Sequence, residues 1–441
     1  MLRALVQRAA VVLCLVGLTV AALCVAVRLT ALGLSDRTSW SQFATFVPAW
    51  ILWAGALAAG FGAGMSSMLV GRGTGFRWAL RRGCAGFLTL LILGGVIDGV
   101  GLGDPPDSVI SGSHVVRVVH WNCEQTPHDA PLGPTIAALS HQSPDVVVLT
   151  SRTFGRTRSA ELGAALGLGH RVAVAHFVVL SRWEITDHAA FLLSLGKAPD
   201  HALARLVRRT LNLRWRAGEL SPDGLSRVFR DDTQGTLVAF TIRTPQPMGD
   251  LRLGAIDLPS YPLAPRWHNA GLIAEQINRI VSEPDPANPA RAAQAPLDII
   301  LGDFNTPFGA ASLSRLAPGM RHAAGDIGVT PDASWPRSAP MLHIDHTLIA
   351  PRLRAVGYRV FDPLLSHHMA QAAALVPAEL PPGFVPDLTP RTPPSAPAAI
   401  PPSSALSAPA GIDPLAPAPA SPPLERPFDL SPWFPAPTPQ P

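Results

Sequence analysis

The pattern of apolar and polar positions divides the chain into three stretches. The first quarter carries three apolar runs, about Ala9–Val27, Phe46–Val70 and Gly83–Leu102. Each is near the roughly 20 residues a helix needs to cross the hydrocarbon core of a membrane, so three transmembrane helices are predicted within residues 1–103. Arg3 and Arg8 ahead of the first run would also suit a signal peptide. Two more runs follow and no small-residue cleavage site is evident, which favours a retained helix. Asp98 falls late in the third run, where a charge can sit at the interface. From His114 the period shortens. Val115–Trp121, Asp145–Leu149, Val172–Leu180, Leu237–Ile242, Leu251–Ile256, Leu297–Leu301 and His343–Ile349 are rich in β-branched and aliphatic residues and read as strands. Gly133–Ser140 and Asn269–Val281 have helical spacing between them. Strands mixed with helices on this scale predict a layered α/β domain over residues 114–370. After about Leu375 proline alternates with alanine and serine. Such a stretch sustains neither helix nor sheet and buries little, so residues 376–441 are expected to form a disordered tail. The terminal "FDLSPWFPAP" has the aromatic character of a docking peptide, so partners for the Pro-rich tail stand beside a plain disordered end.

Composition follows the same partition. The 47% hydrophobic content and the 47 prolines are both excesses, and each is confined to one end of the chain. A net charge of +4 is too small to argue for nucleic-acid binding. Of the four cysteines, Cys14, Cys24 and Cys84 lie in the apolar runs and only Cys123 in the α/β region, so no bridge forms within that domain. Arginines set the orientation. Arg3 and Arg8 precede the first run and Arg72, Arg77, Arg81 and Arg82 fill the second connection, whereas the first connection sets Arg28 and Arg37 against Asp36. The richer clusters belong on the cytoplasmic side. Three spans then place everything after Gly103 outside the cytoplasm, in a bacterium on the periplasmic side of the inner membrane.

Four short motifs carry candidate chemistry. In "LDIILGDFNTP", Leu297–Pro307, an apolar strand runs into Asp303 and Asn305, an acid able to take a proton and an amide two positions on, and alternation points both the same way. "VVRVVHWNCEQ" ends a strand on Asn122, "APMLHIDHTLIA" sets Asp345 between His343 and His346, and "LLSHHMA" supplies His367 and His368. Each alone has an ordinary reading, as a turn, a strand-end amide or a surface histidine. The segment His201–Arg230 interleaves arginines with apolar residues and reads as a phosphate or membrane contact or as an ordinary amphipathic helix.

The order of these motifs resembles the endonuclease/exonuclease/phosphatase (DNase I-like) superfamily over Val115–Met369, with Ser181-Arg182 and Trp335-Pro336 as further matches. The resemblance implies a four-layered α/β sandwich that hydrolyses phosphoesters with Mg²⁺ or a similar divalent metal. By it, Asn122 matches the asparagine near the metal and Asp303 the acid that orients or deprotonates the attacking water. Asn305 matches its companion amide, His368 the histidine that contacts phosphate, and Asp345 the carboxylate that holds that histidine.

Three positions depart from that pattern. Ser151 stands where a glutamate ligand is usual, Asp257 where a histidine is usual, and His367 where an acid is usual. Mg²⁺ prefers hard anionic oxygens, so the serine matters most. Glu124, two residues after Asn122, could supply the lost carboxylate as a metal ligand, and Asp257 and His367 read as an exchange across the site. A histidine-containing site would shift metal preference towards Mn²⁺ or Zn²⁺. The expected function is therefore a metal-dependent phosphodiesterase or phosphatase, integral to the membrane, with a phosphate-ester substrate of unspecified class. The competing expectation is an inactive relative that serves as a membrane-tethered binding or scaffold protein.

Overall fold

The computed structural model describes residues 2–38, 41–69, 115–195, 234–282 and 296–379, apart from 125, 128, 152, 153, 261–263 and 329, together with 85, 88 and 92. The expected third span, apart from residues 85, 88 and 92, lies outside the described residues, as do the segment His201–Arg230 and the tail from residue 380.

Helix α1, Leu2–Gly33, and helix α3, Ala49–Leu69, pack as an antiparallel hairpin: Cys14 meets Ala63 and Ala21 meets Ala56. Small residues let the backbones approach, and a Cβ on Gly17 would stand 2.7 Å from the Ala59 carbonyl oxygen. Within α1, Leu5–Gly33 has a mean hydropathy of 2.9 and is long and apolar enough to cross a membrane. Most of its large side chains are exposed rather than buried against protein. The second apolar run does not begin at Phe46. A short helix α2, Ser41–Thr45, and Pro48 interrupt it, so α3 starts at Ala49 and Phe46 belongs to the connector.

The rest forms two six-stranded sheets. The strands are β1 Val116–Asn122, β2 Val146–Thr150, β3 His170–Val174, β4 Phe177–Ser181, β5 Ile185–Ser194 and β6 Gln234–Arg243. They continue as β7 Asp250–Asp257, β8 Ile299–Asp303, β9 Arg321–His322, β10 Asp345–Ile349, β11 Leu353–Phe361 and β12 Ala370–Pro377. The first sheet has the order β11-β12-β1-β2-β4-β3, the second β5-β6-β7-β8-β10-β9. Helices α4, Gly133–His141, and α5, Phe154–Leu166, cover the outer face of the first sheet. Helices α6, Arg266–Ser282, and α7, Ala311–Leu316, cover that of the second, and α8, Ala323–Asp326, is a single turn after β9. The result is the four-layered α/β sandwich that the resemblance implies.

Strand periodicity builds these layers. Val116, Val118, Val146 and Val148 meet Leu251, Leu253, Ile299 and Leu301 between the sheets. Val119, Trp121, Val147 and Leu149 turn outwards onto Leu139 and Leu162 of the covering helices. Strands buried on both faces read as continuous apolar runs, which is why these were visible in the sequence. Each sheet holds one parallel pair, β1 with β2 and β7 with β8, joined by a helical crossover. The two pairs are clamped alike at the end where they start. Asp145 accepts the Arg117 N–H at 3.0 Å and pairs with Arg182, while Asp298 accepts the Arg252 N–H at 2.7 Å and pairs with Arg352.

Strand boundaries also differ from the sequence reading: the strand expected from His343 starts at Asp345. The run Val172–Leu180 is not one strand but the β3–β4 hairpin, turning at Ala175, which has a φ of 51°. The last strand, β12, continues to Pro377, into the region expected to be tail, because it pairs with both β1 and β11 and so sits inside its sheet.

Candidate active site

The side-chain alternation that builds the core also builds the site. The rows facing the core end in polar residues at one edge of the sandwich. Asn122 and Thr150 close β1 and β2 as register partners, and Asp257 and Asp303 close β7 and β8 in the same way. Asp345 opens β10 directly opposite Asp303. These are the carboxyl ends of the two parallel pairs, where open α/β sheets gather ligand-binding groups.

Asp303 is the hub. Its Oδ2 accepts from the Asn122 amide at 3.0 Å, and its Oδ1 accepts the Asn305 backbone N–H at 2.8 Å. Asn305 adopts a φ of 47°, which turns the chain so that its own amide donates to the Leu258 carbonyl at 2.6 Å. His368 enters from the loop before β12. Its Nδ1 lies 3.0 Å from Asp345 and its Nε2 3.8 Å from Asp303. The Ser366 hydroxyl donates to the Asn122 carbonyl at 2.6 Å and fixes that loop to β1.

Burial and neighbouring charge set the protonation of this group. Burial, reinforced by the nearby Asp345 carboxylate, pushes the Asp303 carboxyl up to about 8. Burial opposes charge on His368, but Asp345 and Asp303 outweigh it and hold the imidazole up at about 9. Asp345 is held below the usual carboxylate range: burial works against its charge, and His368 overcomes it. At neutral pH His368 and Asp345 are thus an ion pair, and Asp303 is a carboxyl short of positive charge. A divalent cation fits that deficit. The ligand atoms of Asp303, Asp345 and His368 lie within 4.8 Å of one another. The buried Oδ1 of Asp345 accepts no hydrogen bond, with the His120 Nδ1 standing 3.8 Å away.

The remaining predicted residues fall into place differently. Asp257 reaches the site edge, but its partner is His176, whose Nε2 lies 2.8 Å away. The expected exchange with His367 is not seen; His367 is exposed and its carbonyl accepts the Arg337 N–H. Ser151 is fully buried, and its N–H donates to the His176 carbonyl at 2.7 Å, so it supports the turn that carries His176. Glu124 gives its backbone N–H to the Asn122 Oδ1 at 3.0 Å, and it is not among the residues whose ligand atoms cluster.

Several residues were missed in the sequence. His120 lies on the inner face of β1, two before Asn122, so alternation alone could have found it; burial lowers it to about 4, which makes it neutral. Gln371 joins it to Tyr358 and Thr347. His176 was hidden because its hairpin reads as one apolar run. His322 was missed as well; it packs edge to face with His343 and His346, the histidines that flank Asp345 in its motif, under the loop after Asp303, and burial keeps all three neutral. His346 there ties the ring of one strand residue to the Thr306 carbonyl at 2.7 Å.

No protein-family model matches the chain, and no curated protein matches it. Among solved structures it is similar to an endonuclease/exonuclease/phosphatase family protein from Bacteroides thetaiotaomicron, at 14% identity and a TM-score of 0.40, covering 59% of this chain and 98% of that one. A mannosyl-6-phosphatase from the same organism matches at 13% identity and a TM-score of 0.41, over 59% and 99%. A nitrophorin of Cimex, in its ferrous NO complex, matches at 12% and 0.33, over 60% and 98%. At these identities the likeness is one of fold, and fold does not carry function.

Proposed function

We propose that this chain is a metal-dependent phosphoester hydrolase of the endonuclease/exonuclease/phosphatase kind, held by its apolar helices on the outer face of a membrane. The observation that carries the reading is the convergence of Asp303, Asp345 and His368, with Asn122 bonded to Asp303, at the carboxyl ends of two parallel strand pairs. Asp303 and Asn122 would hold the cation, with Asp345 and His368 beside them. A divalent cation held there, Mg²⁺, Mn²⁺ or Zn²⁺, would supply positive charge against a phosphoryl oxygen. His368, positive through Asp345, adds a hydrogen bond to the phosphate as charge builds during in-line attack. With its own proton displaced by the cation, Asp303 would orient water and take its proton; the water oxygen bonds to phosphorus as the bond to the leaving oxygen breaks, and that oxygen takes a proton from solvent. Asn305 keeps Asp303 aimed through its backbone N–H.

Membrane display rests on the connector between α1 and α3. It packs on the domain through Asp36, which accepts the Ser312 N–H at 3.0 Å, so connector and domain share one side. The arginine distribution, richer before α1 and between the second and third apolar runs, supports an extracytoplasmic placement of that side. A second, non-catalytic reading has one observation in its favour: Ser151, where a glutamate ligand would be usual, is a neutral and fully buried residue.

Turnover of bis(p-nitrophenyl) phosphate and p-nitrophenyl phosphate by the full-length protein in detergent, with each metal in turn, tests the choice. Hydrolysis that needs metal and drops about 10²-fold or more in Asp303→Ala is expected. No turnover of either ester with any metal would leave the binding-protein reading.

A further inference from the structure

Three imidazoles gather behind the catalytic group, in a place the proposed reaction leaves unused. His322 closes β9, His346 lies in the neighbouring strand β10, and His343 stands just before that strand. Each offers one ring nitrogen, and these atoms lie within 4.8 Å of one another. Neutral imidazole is the commonest metal ligand, and burial keeps all three rings in that form.

Hydrogen bonds fix which nitrogen each ring has left. A carbonyl only accepts, so His343 spends its Nδ1–H on the Asp332 carbonyl at 2.7 Å, and His346 spends its Nε2–H on that of Thr306 at 2.7 Å. His343 Nε2 and His346 Nδ1 therefore carry bare lone pairs. The second of these is buried with no hydrogen-bond partner among the described residues. The first faces the Tyr358 hydroxyl at 3.2 Å, but the one proton of that hydroxyl goes to the Gln371 Oε1 at 2.7 Å. Two lone pairs thus meet with no proton between them. His322 Nδ1 accepts the Ala324 N–H at 3.1 Å, and its Nε2 is likewise buried with no partner among the described residues. A ring whose far N–H is bonded to a backbone carbonyl has its other nitrogen aimed as metal ligands are.

Ring spacing separates a cation from a water molecule at this point. Zinc sits about 2.0–2.1 Å from an imidazole nitrogen and about 3.2 Å from the ring centre, so rings around a tetrahedral ion stand about 5.2 Å apart. A water bonded to the same nitrogens at about 2.9 Å would spread the ring centres to about 6.6 Å. The observed separations are 5.4 Å for His322 and His343, 5.3 Å for His322 and His346, and 5.0 Å for His343 and His346. Neighbouring ligand atoms at tetrahedral zinc lie about 3.3 Å apart, close to the 3.2 Å between His343 Nε2 and the Tyr358 oxygen.

We propose that His322, His343 and His346 bind a zinc ion, with the Tyr358 hydroxyl facing its fourth position. Three imidazoles without a carboxylate suit zinc and not magnesium. At His322 the ion takes the place of the Nε2 proton, which moves to Nδ1 at the cost of the bond to Ala324. The site is separate from the Asp303 group and does not rest on the phosphoesterase reading. Closed on all sides by protein, it is structural in kind. It braces the catalytic group from behind, because His343 and His346 flank Asp345, and Thr306, held by His346, follows Asn305. Gln371 extends the same contacts from Tyr358 to His120.

The test uses the full-length protein in detergent carrying Asp303→Ala, which removes the acid that would hold the catalytic cation. The protein is stripped of metal, loaded with zinc and dialysed, and its metal content is measured. About one zinc per chain should remain. Adding His322→Ala, at the least buried of the three rings, should remove it by weakening binding about 10²-fold or more. Zinc should raise the denaturant midpoint of the first variant and leave that of the second unchanged. Cobalt in place of zinc should show the intense visible absorption of a four-coordinate ion, lost with His322→Ala. Near-UV circular dichroism of the metal-free proteins shows whether the added substitution leaves the fold intact. Where it does not, the cobalt spectrum of Asp303→Ala decides alone, and the weak bands of a six-coordinate ion would overturn the site. No retained zinc, or equal zinc with and without His322, would overturn it as well. Each of these results leaves the phosphoesterase reading standing, since that is judged by turnover at the Asp303 group.

Discussion

Asp345 and His368 are useful only together. Asp345 sits behind the imidazole, 3.0 Å from Nδ1, and leaves Nε2 facing Asp303. A carboxylate in that position fixes the tautomer and favours the charged form. His368→Ala is therefore expected to lower kcat by about 10²- to 10³-fold, the scale of removing one group that stabilises transition-state charge. Asp345→Asn should cost less, because the histidine remains, and the double variant should be no worse than His368→Ala alone. Steady-state kinetics on a soluble ester checks this non-additivity. Losses that multiply would mean that Asp345 acts on the reaction without His368. Asp257 and His176 form a second acid–imidazole pair at the site edge, with the acid on a sheet strand and the imidazole on a hairpin turn. That inverts the order expected from the resemblance, which places a histidine at position 257.

At the scale of elements, the position of Asp303 depends on how closely β8 approaches β7. Gly302 has a φ of 148°, and a Cβ built there would stand 1.8 Å from the Ile256 carbonyl oxygen. No side chain fits without displacing the central parallel pair of the second sheet. Gly302→Ala is expected to destabilise the protein by about 3 kcal/mol or more, in the range of severe backbone lesions. A denaturant midpoint unchanged from the parent would show that the strands part more easily than this packing implies. The glycine in "GDFN" thus has a reason distinct from the chemistry of its neighbours: it lets β8 run close enough for Asp303 and Asp257 to end side by side.

For the whole molecule, the interior carries an unusual load of neutral imidazole. Burial lowers His120 and His346 to about 4, His343 to about 3, and His322 well below its ordinary value. In the unfolded chain these groups take up protons below about pH 6.5 while the folded protein does not, so stability falls as pH drops from 6.5 towards 4. Asp303 works the other way, since its raised folded pKa makes the native state bind a proton that the unfolded chain has released. One such group against four leaves the histidines in control. His368, raised to about 9, stabilises the fold below pH 6.5 and loses that contribution only as pH climbs through 9, outside this window. Denaturant unfolding in chelator should therefore show a loss of a few kcal/mol per pH unit between 6.5 and 5, and His346→Phe should flatten the slope. Stability independent of pH over that range would mean that these rings reach solvent.

The sequence determined much of this by itself. Strands buried on both faces announce themselves as unbroken apolar runs, so β1, β2, β7, β8 and β10 were legible, as were the helix spacings of α4 and α6. In the structure Asn122, Asp303 and Asp345 lie on the core-facing rows of their strands, as the two-residue period there requires. The sequence did not reveal β11 and β12, whose alanines and glycine carry weak strand preference and which are held by pairing to neighbours distant in sequence. Nor could it decide partners. Asp257 meets His176 rather than His367 because the β3–β4 hairpin leans over the site, and hairpin geometry is invisible in an apolar run. The lodging of Asp36 on α7, across 276 positions, likewise exists only once the chain is folded. Local pattern fixes which face of an element a side chain takes, because backbone period is local. Which faces then meet, and so whether the site opens towards water or towards a membrane, is set by contacts between elements that no local period records.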